Sequence, residues 1–206
     1  MKKISSYYDN INPFNGIFHK SRAERFPIKK FLSFFNSTRY NDPQWLNVDQ
    51  IIDELDHPLG WATNNIQGSY FEITFLKSFL EIHGYSLGSP PNDDEMIRSW
   101  DFHCIRNELS FVIDNHTNDN ALCPDAAPGA YCGYTDKKYF PLNKVYLCDK
   151  IKFEMTGRNN GGKYHLSLLG IELFGVLYIG ECITCKLLNR YTGSFLLNLL
   201  IPMIIT

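Results

Sequence analysis

The chain has 206 residues and a formal net charge of −2, from 20 Lys and Arg against 22 Asp and Glu. A chain of this size buries about 70% of its unfolded surface, so an apolar core needs no metal or disulfide staple. Its 44% apolar and 20% charged composition excludes disorder, collagen-like and coiled-coil character for the whole chain, and the lack of a basic excess argues against nucleic-acid binding. The aromatic content of 15%, beside 14 Gly and 10 Pro, favours sheets and turns over helices.

Residues 1–45 mix aromatics with Lys and Arg, and Phe31-Leu32-Ser33-Phe34-Phe35 is their one dense apolar patch. No apolar run of roughly 7–15 residues follows the basic start, so no secretory leader is expected. The expected location is therefore cytoplasmic, with the six cysteines (104, 123, 132, 148, 182 and 185) mostly free thiols. In that compartment the sequons Asn36-Ser37-Thr38 and Asn115-His116-Thr117 carry no meaning. A short helical turn is expected around Asn47 to Leu55.

From Tyr70 onward the pattern is that of strands. Phe71, Ile73 and Phe75 alternate with Glu72 and Thr74, the period of two of a half-buried strand. A second run, Ile82 to Leu87, is stopped by the turn cluster Gly88-Ser89-Pro90-Pro91-Asn92-Asp93-Asp94. Leu109 to Ile113 is a third. Ile151, Phe153 and Met155 alternate with Lys150, Lys152 and Glu154; the loop from Gly157 to Gly162 follows, then Tyr164, Leu166 and Leu168, then Ile171-Glu172-Leu173-Phe174-Gly175. Short strands, regular turn signals and no long helical period indicate an all-β sandwich or barrel. The expected core includes Phe71, Ile73, Phe75, Tyr85, Trp100, Phe111, Ile113, Phe153, Leu166, Leu168, Leu173 and Phe174, and a core role is also expected for Trp61 and Tyr70.

An ordered series of features carries a family resemblance: Gly60-Trp61-Ala62-Thr63-Asn64-Asn65, Ser69-Tyr70-Phe71-Glu72-Ile73-Thr74-Phe75, Tyr85-Ser86-Leu87-Gly88-Ser89, Ser99-Trp100-Asp101-Phe102, Ser110-Phe111-Val112-Ile113-Asp114, and Ile151 to Asn159, closing with Leu168 to Gly175. The series resembles the discoidin domain, or coagulation factor V/VIII type C domain, of the galactose-binding-domain-like group, and most resembles the intracellular versions of some anaerobic protists. The resemblance covers residues 12–178. It implies a jelly-roll β-sandwich whose loops at one end bind carbohydrate or a protein partner without catalysis, or an intracellular adaptor domain that binds protein alone. Phe102 to Asn107 departs from the family's usual turn, and no cysteine before Cys104 can supply the clamp of extracellular members.

On this reading Arg39, Tyr40 and Trp45 are ligand-binding candidates, because an aromatic face stacks on a sugar ring or anchors a partner. Arg158, Asn159, Asn160 and Lys163, around Gly161-Gly162, are a second set: a guanidinium and two amides on one loop can grip hydroxyls directionally. Asp53 and Asp56 sit where family members hold a structural cation, and their carboxylates suit calcium; no other cofactor is expected. Cys182-x-x-Cys185 is half a zinc site at most. No nucleophile elbow, phosphate loop or zinc-protease helix is present, so no enzyme activity is expected. The apolar tail, 179–206, is too short and too interrupted, by Asn198 and Pro202, to span a membrane. It is expected to lie outside the domain, poorly ordered or as a short docked helix, and to favour aggregation.

Overall fold

The computed structural model describes residues 2–36, 48–52, 61–88, 93–122 and 137–180. In chain order the elements are β1 (Lys2–Ser6), α1 (Ile17–Ala23), β2 (Leu32–Asn36), β3 (Trp61–Ala62), β4 (Tyr70–Phe75), β5 (Ser78–Gly88), β6 (Trp100–Arg106), β7 (Leu109–His116), β8 (Lys137–Cys148), β9 (Lys150–Met155), β10 (Ser167–Leu168) and β11 (Gly170–Ile179), with single 3-10 turns at Ile28–Phe31, Val48–Gln50 and Asp93–Glu95. All pairings are antiparallel. One sheet has the order β1-β11-β5-β8, the other β2-β4-β9-β6-β7, and β10 pairs with β3.

The alternation in the sequence is the reason these two sheets pack face to face. Phe71, Ile73, Phe75, Ile151, Phe153 and Met155 point inward from β4 and β9, opposite Leu80, Ile82, Tyr85, Leu173 and Leu177 of the other sheet; all are buried. Aromatic rings fill the middle. Phe71 stacks on Phe153 at 5.6 Å, Trp61 meets Phe71 edge-on at 5.5 Å, and Tyr85 lies 4.3 Å from Phe102. Burying so many rings is where the high aromatic content goes.

Two core expectations fail. Phe111 is 53% exposed, with Leu109 at 63% and Val112 at 51%. A bulge between Phe102 and His103 leaves Ile113 as the extra residue on β7, and at this edge strand Ile113 is buried while Phe111 stays uncovered among the described residues. Tyr70 lies on the outer face with Glu72; the ammonium of Lys152 sits 4.4 Å from its ring centroid.

The expectation of mostly free thiols also fails for two cysteines. Cys104 of β6 and Cys148 of β8 are joined in a disulfide that ties one sheet to the other, and both are buried. Cys123, Cys132, Cys182 and Cys185 lie outside the described residues, as do Asp53, Asp56 and the tail from 181 onward.

Helix α1 and strand β1 carried no sequence signal. Both are held by β11. β1 pairs with Val176 to Ile179 through Lys2 to Ser5, and α1 is seated on Glu172, whose Oε1 accepts the His19 N–H at 3.0 Å. Burial pushes the Glu172 carboxyl well above the usual range, against the pull of Arg22 and the helix N–H groups. Of the helical turn expected around Asn47–Leu55, Val48–Gln50 forms a 3-10 turn, with Ile51 and Ile52 buried behind it.

Candidate functional site

The strand register separates two unlike ends. Gly88, Lys137, Gly170, Tyr70, Met155, Trp100 and His116 lie toward one end. From this end spring the connections 93–99, 117–122 and 156–166, with 63–69 beside them.

The segment 93–99 is the hub of these connections. Asn160 and Gly161 donate their backbone N–H groups to the carbonyls of Met96 (3.0 Å) and Asp94 (2.9 Å), and Thr156 donates to Ser99 (3.1 Å). On the other side Asp119 N–H donates to the Arg98 carbonyl at 2.7 Å, and Asn118 N–H to Ser99 Oγ at 3.0 Å. Close approach explains two of the glycines. A Cβ on Gly161 would lie 2.6 Å from the Asp94 carbonyl oxygen, and one on Gly157 would lie 2.7 Å from Ser99 Cβ. Gly162 adopts φ +74°, the left-handed conformation that favours glycine.

Four of the expected ligand residues lie on this hub-bound loop. Asn159 turns inward and is buried: Lys163 N–H donates to its Oδ1 at 2.8 Å, and its own N–H returns to the Lys163 carbonyl at 2.8 Å. The side-chain amide nitrogens of Asn159 and Asn160 are both buried, with no hydrogen-bond partner among the described residues. Arg158 and Lys163 point to solvent, and the Arg158 guanidinium lies 5.6 Å from the Tyr164 ring centroid. Tyr164 is held from behind by its own N–H, which donates to Asn65 Oδ1 at 2.7 Å. The loop therefore presents a cation, a ring and a second cation on a frame of buried amides. Arg39, Tyr40 and Trp45 lie outside the described residues. No group of three or more His, Cys, Asp or Glu side chains able to hold a metal occurs among the described residues.

A polar network that the sequence reading missed underlies the same end. Tyr85 donates its hydroxyl to Asp114 Oδ2 at 2.7 Å and accepts the Trp100 indole N–H at 2.9 Å. His116 reaches Asp114 Oδ2 through Nε2 at 3.0 Å and Asp119 Oδ2 through Nδ1, and its ring stacks 4.1 Å from that of Trp100. Burial alone would lower the imidazole pKa, but the bonds to Asp114 and Asp119 outweigh it and hold it above its ordinary value. Burial likewise opposes the Asp114 carboxylate, yet the bonds from His116 and Tyr85 bring it below the usual carboxylate range. Tyr85 is pushed well above its ordinary value by burial and by the Asp114 charge. Asp114 and His116 stand two apart on a strand, hence on one face; that signal was legible. Their partners Asp119 and Tyr85 were not.

No protein-family model matches the chain, and no curated protein matches it. Solved structures do. One is a family 32 carbohydrate-binding module (CBM32-3) from a family 31 glycoside hydrolase of Clostridium perfringens: TM-score 0.54, 11% identity, covering 73% of this chain and 92% of that one. The fold is that of the galactose-binding-like, discoidin-type sandwiches. The discoidin-type fold is shared equally with the Clostridium perfringens module CpGH89CBM32-5, solved with GalNAc-β-1,3-galactose (TM-score 0.52, 12% identity, 72% of this chain and 98% of that one). It is shared too with a Streptococcus pneumoniae fucose-binding module (TM-score 0.50, 12% identity, 69% and 90%). At such identities the likeness is one of fold, so the chemistry of this discoidin-type sandwich has to be read from its own loops.

Proposed function

We propose that this chain is a non-catalytic carbohydrate-recognition module that binds its sugar at the loop end of the sandwich. The observation that carries the reading is the loop 156–166, where Arg158 over Tyr164, with Lys163 alongside, is presented on a frame anchored to Met96 and Asp94. Planar cations and ring faces suit hydroxyl-rich rings, which offer acceptors at the rim and C–H groups on the face. The sugar specificities of the fold neighbours support the class of ligand. Trp45, whose aromatic face the sequence singles out, is proposed as a further contact, with Arg39 and Tyr40 beside it.

A glycan array with the full chain tests this. Binding to a set of related sugars is expected, falling about tenfold or more in Arg158→Ala, the loss of roughly 1.4 kcal/mol or more that one charge-assisted contact supplies. A blank array, with a protein partner bound through the same residues, would overturn it in favour of the adaptor alternative.

A further inference from the structure

The disulfide and one edge strand together point to a modification. Cys104 and Cys148 are paired inside the sandwich, and core disulfides form and persist in oxidising compartments far more than in the cytoplasm. In such a compartment Asn115-His116-Thr117 matches the acceptor triplet for N-linked glycan. The fold displays it openly. Asn115 is the next-to-last residue of β7, an edge strand of the five-stranded sheet. The strand period turns Asp114 and His116 toward the interior network while Asn115 and Thr117 are exposed. The other sequon begins at Asn36, which ends β2 on the opposite edge of the same sheet and is only partly exposed.

We propose that Asn115 carries an N-linked glycan and that this chain matures in an oxidising lumen rather than in the cytoplasm. Asn115 Nδ2 forms a C–N bond to the anomeric carbon of an oligosaccharide. The bond from that carbon to the phosphate oxygen of a lipid-linked pyrophosphate donor breaks. The lipid pyrophosphate leaves with the electron pair, and Nδ2 releases one proton. One N–H remains on Nδ2, enough to keep its hydrogen bond to Asp101 Oδ1. The glycan would stand at the end of a strand on which the apolar side chains of Leu109, Phe111 and Val112 are exposed. Edges of that kind pair with other chains unless something blocks them, and a bulky polar group on the edge is such a block.

Peptide mapping of the full chain, isolated from the cells that make it, tests the proposal. Without reduction, Cys104 and Cys148 are expected in one linked peptide pair. The peptide spanning Asn115 is expected to carry a hexose- and N-acetylhexosamine-containing mass, which an amidase specific for glycosyl-asparagine removes, leaving Asp at that position. The mass should vanish both in Asn115→Gln and in Thr117→Ala, the second of which keeps the acceptor amide and its bond to Asp101. Unmodified Asn115 throughout the material, a mass that survives in Thr117→Ala, or alkylation of Cys104 without prior reduction would each overturn it. Sugar binding is a separate reading: a blank glycan array with Asn115 occupied removes the proposed function and leaves the modification standing.

Discussion

Where β4 meets β5, β6 meets β7 and β8 meets β9, the connections are Leu76-Lys77, Asn107-Glu108 and the single residue Asp149; at the opposite end they are long segments bound to one another through 93–99. The short end is closed by backbone geometry. Asn107 and Glu108 both take positive φ (50° and 63°), as a two-residue hairpin with the twist of its strands requires. Asp149 fastens the rest: its carbonyl accepts Phe75 N–H at 2.9 Å, its N–H donates to Ile105 at 2.9 Å, and its Oδ2 accepts Asn107 N–H at 2.9 Å. At the long end the loops are held by each other and by the half-buried Asp114–His116–Asp119 network. The two ends divide the labour: short turns hold the strand register, and the long loops carry the side chains proposed for recognition.

The largest effect is expected beneath the long end. Trp100→Ala removes a fully buried ring that supports Tyr85, Phe153 and His116. It should cost about 3–5 kcal/mol in chemical denaturation; a loss below about 1 kcal/mol would mean that this end is not built on the core as described. Next comes the cross-sheet tie. Replacing Cys104 and Cys148 together by Ser, or reducing the native chain, should lower stability by about 2–4 kcal/mol, seen as a lower thermal midpoint, with an unchanged midpoint under reductant as the contrary result.

Gly161→Ala should cost roughly 1–3 kcal/mol by overpacking against the Asp94 carbonyl. Because it displaces the loop from its hub, it should weaken sugar binding more than it weakens the fold; equal losses would argue against a separately anchored loop. The smallest effect is the pH dependence of His116. Its folded pKa lies above the ordinary 6.5, so its contribution is complete below that value and is lost as pH rises through the folded one. Asp114 runs the other way: its contribution is present above the ordinary carboxylate value and is lost as pH falls through its lowered one. His116→Gln should therefore lose about 1 kcal/mol near pH 6 and converge with the parent chain at alkaline pH, when the two are compared by urea titration across pH. Parallel curves would show that the imidazole is not the titrating group.

Much of the short end was readable in advance. The alternation of Phe71, Ile73 and Phe75, and that of Ile151, Phe153 and Met155, assigned strand and inward face together, since a packed face imposes a period of two. The long end was readable only in outline. Arg158, Asn159, Asn160 and Lys163 could be recognised as a polar loop, but not that Asn159 turns inward to close it, because that depends on the Lys163 backbone folding back. Phe111 was misplaced for a related reason: alternation names a side of a strand, and only the neighbouring layer decides whether that side is covered.

The sequence by itself determined the all-β class and most of the core, because burial against a sheet leaves a periodic mark in strands such as β4 and β9; the jelly-roll form was implied by the family resemblance rather than by that period. Tertiary structure alone decided the Cys104–Cys148 pairing, the seating of α1 on Glu172, and the joining of Tyr85, Trp100, Asp114, His116 and Asp119 into one network. Each of these depends on residues far apart in the chain, Cys104 with Cys148, His19 with Glu172 and Tyr85 with Asp114, meeting through one or two contacts. A single contact leaves no period and no composition behind it, so it exists only once the two sheets have brought its partners together.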